Sequence, residues 1–204
     1  KLLVDKVAAS RLVRAENLTS VGTSLKKLQT AFGSGDLGSV LDKSLAVSTI
    51  PGVSTGLNTT IQETLKFADF FKQFGADQTL AAFAGVESVS PNAENASEAL
   101  KSFGAQVAKR GLASGDLFGT LANVEKKIAG GKSAFDVLGE QNAVIGYQRL
   151  LQQRSAIRGY ATQIAGAGGT VDRTAGILNA DPTVAAANAL ALSQGTEQAN
   201  LELQ

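Results

Sequence analysis

Ala96-Ser97-Glu98-Ala99-Leu100-Lys101-Ser102-Phe103-Gly104-Ala105-Gln106-Val107 carries its apolar stripe at positions 96, 100, 103 and 107. Steps of four, three and four residues put those side chains on one face of a helix that turns once every ~3.6 residues. The same spacing returns downstream at Leu117, Leu121, Val124 and Ile128. Ser90-Pro91 ahead of the first stripe reads as a helix N-cap followed by the first helical position. Gly111 reads as the stop behind that stripe, and Gly130-Gly131 as the end of the second. Nowhere does the chain alternate apolar and polar residues for long enough to predict a strand. The expected fold class is therefore all-α: a multi-helix globular segment of seven to nine helices with a long N-terminal, coiled-coil-like helix.

Outward from this centre the punctuation continues. On the N-terminal side, residues 57–74 predict one helix with two apolar faces. Leu57, Ile61, Leu65 and Ala68 form one, and Phe67, Phe70, Phe71 and Phe74 the other. A helix apolar on two sides is either central to a core or covered by another subunit, so the phenylalanine face is both a core candidate and a candidate partner or subunit face. Asp77 to Gly85 follows as a short helix. On the C-terminal side, Ser133 to Leu138 predicts a short turn of helix, and Gly139 opens a longer one to about Ile164. Gly166-Ala167-Gly168-Gly169 is a break, and another helix covers about Val171 to Leu178. Asp181-Pro182 repeats the cap signal before a last helix from Thr183.

Residues 1–32 read as one helix with a heptad repeat. Val4, Val7, Leu18, Val21, Leu25, Leu28 and Phe32 fill a and d positions, which Arg11 and Arg14 interrupt. That seam serves either self-association or docking on the chain's own domain. Residues 33–56, with Gly33, Gly35, Gly38, Pro51-Gly52 and Gly56, look like a hinge holding a short helix from Leu37 to Val47. The layout expected is a long helix at 1–32, a punctuated hinge at 33–56, a helical globular domain at 57–180, and a C-terminal helix at 181–204. Because the chain starts Lys1-Leu2-Leu3-Val4 and ends in a helical run, it reads as an excerpt that continues into a longer polypeptide.

Composition narrows the chemistry. The 204 residues include no His, Cys, Met or Trp, and 44% are hydrophobic but only 5% aromatic. Alanine and leucine favour close-packed helices, since neither loses much side-chain freedom there. Without His or Cys the usual zinc ligand sets, the thiolate nucleophile and the commonest general base are all absent. Nineteen basic and eighteen acidic residues leave a net charge of +1, which gives no global footprint for nucleic acid or anionic lipid. No stretch approaches the ~18 apolar residues of a transmembrane span.

The motifs read as structural. Gly33-Ser34-Gly35-Asp36-Leu37-Gly38 matches the dinucleotide fingerprint in letters, but a helix stands where the motif needs a strand. Gly131-Lys132-Ser133 echoes a phosphate loop whose first glycine position is Lys126. Glu94, Glu98 and Glu140 sit at helix starts, where the helix dipole favours anions. Basic residues gather in three sets: Lys101, Lys109 and Arg110; Lys126, Lys127 and Lys132; and Arg149, Arg154 and Arg158. Each reads as the solvated flank of a helix, so no specific nucleic-acid site is expected. The catalytic, cofactor and metal inventories are all none.

Residues about 68 to 180 nevertheless resemble the conserved region of tailed-phage tail tape-measure proteins. The order carries the likeness. A Phe-rich helix leads to Leu80-Ala81-Ala82-Phe83-Ala84-Gly85-Val86, then to Ala96-Ser97-Glu98-Ala99-Leu100-Lys101-Ser102-Phe103. Leu117-Phe118-Gly119-Thr120-Leu121 and Lys126-Lys127-Ile128-Ala129-Gly130 follow, then Ala134-Phe135-Asp136-Val137-Leu138-Gly139 and Asn142-Ala143-Val144-Ile145-Gly146-Tyr147-Gln148-Arg149-Leu150-Leu151. Gly166 to Gly169 and Thr174-Ala175-Gly176-Ile177-Leu178 complete it. The resemblance implies a structural virion protein that sets tail length and is released during genome ejection. It also implies homo-oligomers, partners in the tail tube and the tail tip or baseplate, and a place in the tail tube lumen or tail tip. The other reading is a non-catalytic helical adaptor or secreted interaction domain of a bacterial protein, otherwise placed in the bacterial cytoplasm.

Overall fold

Nine consecutive residues, Thr79 to Glu87, are buried along a single helix, Gly75–Glu87, and the other described helices are arranged around it. The structure, a computed structural model, describes residues 18–34 and 36–169, all of them in helices and connecting turns with no strand among them. The central helix is buried on every side because its sequence allows it. Ala81, Ala82, Ala84 and Gly85 let neighbouring helices approach, while Leu80, Phe83 and Val86 fill the gaps. A helix apolar all round is a core helix. The two-faced pattern at 57–74 predicted the central position for that segment; the structure gives it to the next one.

In chain order the helices are α1 (Leu18–Phe32), α2 (Leu37–Val47), α3 (Leu57–Leu65), a single turn α4 (Ala68–Phe71) running into a 3-10 turn at Lys72–Phe74, and the central α5 (Gly75–Glu87). They continue as α6 (Ala93–Lys109), α7 (Leu117–Ala129), the short α8 (Ala134–Leu138), α9 (Gln141–Gln152) and α10 (Arg154–Ala165). α5 packs on α10, α6, α2 and α9, and α6 packs on α9. α1, α2 and α3 pack together around a second, smaller apolar cluster. α2 joins the two, with Val40, Leu41 and Leu45 in the smaller cluster and Ala46 and Val47 in the larger. The segment predicted as a hinge thus contributes a helix to both cores.

Local chemistry sets most helix starts. Asp36 accepts from the backbone N–H groups of Gly38 at 2.9 Å and Ser39 at 3.1 Å, which begins α2. Asn92 caps α6 by accepting from Asn95 N–H at 2.8 Å, and Asp116 caps α7 by accepting from Gly119 N–H at 2.9 Å. Ser133 and Asp136 form a reciprocal capping box on α8. The Ser90-Pro91 cap predicted for α6 lies two residues early. The Ser90 hydroxyl instead donates to the Val86 carbonyl at the end of α5, leaving Asn92 to start the next helix.

Two helices predicted as continuous are broken. The 57–74 segment turns at Lys66 and Phe67 and tightens into the 3-10 turn, so its phenylalanines face different neighbours. The 139–164 segment starts later and divides. Gly139, at φ +74°, is the left-handed stop of α8 and not the start of α9, and Gln153 separates α9 from α10. The division follows from two different docking partners: α9 lies on α6, where Gly146 meets the Ala99 carbonyl, and α10 lies on α5, where Ile157 and Gln153 meet Gly85. The helices predicted beyond residue 169, including 181–204, lie outside the described residues.

Side-chain bonds pin the loops to this frame. The buried Glu87 carboxylate accepts from Ser54 N–H at 3.2 Å, from the Ser54 hydroxyl at 3.3 Å and from the Thr55 hydroxyl at 2.8 Å, holding the 51–56 connection against the end of α5. Asp42 on α2 accepts from Gly169 N–H at 2.8 Å, which fixes the far end of the described chain against the α1–α3 unit.

Candidate interaction surfaces

Of the heptad residues offered as a self-association seam, Val4 and Val7 lie outside the described residues, as does the side chain of Leu18. Val21, Leu25 and Leu28 are at most 1% exposed, and Leu41, Leu45, Leu57 and Ile61 of the same chain share their cluster. Phe32 packs at the edge of that cluster. The described part of the seam is therefore docked on its own domain. The repeat looked like a coiled coil because a helix crossing two others shows them one stripe, as a coiled-coil helix shows its partner.

The phenylalanine face is likewise interior. Phe67 and Phe71 are fully buried and Phe74 nearly so, with ring centroids 5.1 Å apart in each of the edge-to-face pairs Phe67–Phe71 and Phe71–Phe74. Phe71 continues to Phe103 and Phe103 to Tyr147, each at 6.4 Å, so an aromatic row links the 3-10 turn through α6 to α9. Phe70 is half-buried against Gly104, where a β-carbon would stand only 2.7 Å from the Phe70 Cβ. All four residues serve the chain's own packing, as a core element and not as an open subunit face.

Of the carboxylates singled out in the sequence, Glu94 and Glu98 lie one turn apart on α6 and both act, with Glu63, on Lys66, whereas Glu140 belongs to α9. Glu94 and Glu98 stand exposed on α6. Glu140, at the start of α9, accepts from the Gln106 side chain at 3.1 Å. A different carboxylate, Glu63, is half-buried, accepts from the Ser97 hydroxyl and pairs with Lys66 at 2.9 Å. The hydrogen bond and charge of Glu63 hold the Lys66 ammonium above its ordinary pKa. The glycine-rich 33–38 stretch joins α1 to α2 and supplies the Asp36 cap, and Gly131-Lys132-Ser133 supplies the capping box of α8.

The basic sets divide. Arg149 donates to the Ser90 hydroxyl at 2.9 Å, Arg154 pairs with Glu125 at 3.0 Å, and Arg158 lies 4.8 Å over the Phe118 ring. These three brace α9 and α10 against their neighbours. The other two sets partly merge. Lys126 and Lys127 in the last turn of α7 and Lys132 in the following turn line a cleft of about 520 Å³, and Arg110 at the end of α6 lines, with Lys127 and Lys132, an adjoining recess of about 190 Å³. Gly111 at φ +63° and Gly131 at φ +91° turn the backbone at its two rims. Asn123 holds the floor by donating to the Leu112 carbonyl at 3.1 Å.

Arg110 is fixed in place by neutral acceptors, the Asp136 backbone carbonyl at 3.2 Å and the Gln106 side-chain oxygen at 3.5 Å. Its guanidinium lies over Gly139, where any β-carbon would collide with it. The carboxylate lining the recess, Asp136, is engaged by the Ser133 hydroxyl at 2.7 Å and the Ser133 N–H at 3.0 Å, and these bonds hold its pKa below the ordinary range. Sequence reasoning put Arg110 and Lys126 in separate sets because the approach of α6 to α7 is a tertiary event. Comparison of the chain with protein-family models, with curated proteins and with solved structures finds no match.

Proposed function

We propose that the chain is a non-catalytic structural segment of a tailed-phage tail tape-measure protein. The observation that carries this reading is the order of segments over about 68–180, from the Phe-rich stretch to the Gly/Ala break. Supporting it, the quoted segments from Leu80 to Leu151 fall, in order, on successive helices and the turns that end them. On this reading the product of the chain is shape and length. A helix rises ~1.5 Å per residue, so helical residues in a parent polypeptide convert into distance along a tube. Association with further copies and with tube or tip proteins belongs to the same proposal.

The test is made in the virus or lysogen that encodes the chain. Purified particles digested and analysed by mass spectrometry should contain its peptides, and lengthening helical stretches of the parent should lengthen tails by roughly 1.5 Å per added residue in electron micrographs. Particles lacking the chain, or tails indifferent to parent length, would overturn it.

A second reading, a helical interaction module of a bacterial protein, is favoured by one observation: the cationic cleft lined by Lys126, Lys127 and Lys132, with Arg110 in the adjoining recess. Detection of the chain in uninfected, prophage-free cells would select it.

A further inference from the structure

We infer that the cleft between the C-terminal ends of α6 and α7 is a binding site for clustered phosphate groups. Lys126, Lys127 and Lys132 line the cleft, and Arg110 joins Lys127 and Lys132 in lining the adjoining recess. Among the described residues none of the four stands in an ion pair within 4 Å, whereas Lys43, Lys66, Lys101 and Arg154 each do.

The electrostatic balance decides whether this is only a solvated flank. Lysines in the last turn of a helix are ordinarily explained by its dipole, which places about half a negative charge at each C-terminus. Two such ends, the Asp136 carboxylate and the Glu140 carboxylate, which bonds the Arg110 partner Gln106, face four full positive charges, so a surplus of about one charge remains after the dipoles are counted. The helix ends therefore account for part of the cluster and leave the rest uncompensated. Arg110 is held by neutral oxygens over a glycine that makes room for it, so its planar donor group is pre-set while its charge is kept. Preset guanidinium and ammonium groups around a concave floor suit oxyanions bearing several charges, with Arg offering paired donors and Lys point charges.

The phosphates can belong to a free polyphosphate or to a nucleic-acid backbone. Phe135 separates these sources. It is 52% exposed on α8, outside the lining of both cavities, and is a ring on which a base of a longer strand can stack.

The test uses the intact 204-residue chain at low salt. Inorganic triphosphate is titrated by calorimetry, and a fluorescent single-stranded DNA of about 12 nucleotides by anisotropy. The chain should bind at least one probe. Lys127→Gln with Lys132→Gln should weaken that binding roughly tenfold, and affinity should fall as salt rises. Both lysines are exposed, so the fold should survive, as circular dichroism will verify. Lys26→Gln with Lys27→Gln, in the separate cleft beside Lys72, should leave affinity within about twofold. If Phe135→Ala weakens the oligonucleotide and spares triphosphate, the source is nucleic acid; triphosphate binding alone marks a free polyphosphate. The inference is overturned if neither probe binds, or if the two lysine pairs lower affinity equally, which is what diffuse surface charge would give.

Discussion

Two glycines in neighbouring helices show how differently the same residue can be constrained. Gly146 faces α6, and a β-carbon there would run into the main-chain carbonyl of Ala99. A carbonyl cannot rotate aside as a side chain can, so the helices must part. Gly159 on α10 has nothing within 4 Å of that position. Glycine inside a helix is worse than alanine by roughly 0.5–1 kcal/mol. Gly159→Ala should therefore stabilise by about that amount, while Gly146→Ala should destabilise by about 1–3 kcal/mol through overpacking. Urea denaturation followed by circular dichroism would measure both, and a Gly146→Ala variant at least as stable as the parent would refute the packing at Ala99.

Tyr147 makes a second prediction at this scale. Burial beneath α6, then the nearby Glu125 charge, raise its phenol above the ordinary tyrosine value of 10.0, against a smaller opposing effect of Arg154. A group that holds its proton more tightly when folded contributes stability that is fully present below pH 10 or so and fades as pH climbs through the folded pKa. In a Tyr160→Phe background, where Tyr147 is the sole tyrosine, the tyrosinate absorbance should appear above the pH range of free tyrosine while the fold persists. A midpoint at or below that range would mean the ring is not buried in solution.

At the scale of elements, the question is what each apolar stripe covers. Leu25 on α1 is 1% exposed against α2 and α3, and Phe71 is fully buried between α6 and the 3-10 turn. Leu25→Ala should cost about 2–5 kcal/mol and Phe71→Ala about 3–5 kcal/mol. Both losses should be the same at low and high protein concentration, because the partners lie in the same chain. Loss of association in sedimentation with unchanged stability would return these stripes to the role of a subunit seam. The broken helices carry the same lesson. Gln153 separates α9 from α10 because α9 is held at Ala99 and α10 at Gly85, and one straight helix cannot reach both.

Over the whole molecule, the buried apolar residues fall into two clusters of unequal size, with α2 in both. Cooperative units open according to the apolar area they bury, so the α1–α3 unit should open at lower free energy than the α5–α6–α9–α10 unit. Hydrogen exchange under native conditions should show amides of α1 and α3 exchanging ahead of those in the middle of α5 and α6. Simultaneous exchange of all four would mean that α2 couples the clusters into one unit. A chain that opens stepwise is also what the tape-measure proposal calls for, since a segment that leaves a tube must loosen without unfolding at every point together.

The all-helical character was legible because it is local. Stripes at 96, 100, 103 and 107, glycine stops at 111 and 131, and the serine at 133 act within a turn or two of their own backbone, so the sequence contains both partners of each interaction. The same stripe, however, is written whether it meets a neighbour in the same chain or another molecule, which is why the sequence left both readings open for Val21, Leu25 and Leu28 and for the phenylalanines at 67–74, until α2, α3 and α6 were seen on top of them. Tertiary packing alone selected Gly75–Glu87 as the central helix, divided α9 from α10, and carried Arg110 across to Lys127 and Lys132. Those outcomes depend on which surfaces far apart in the chain fit one another, and residue spacing along a single helix holds no record of that fit.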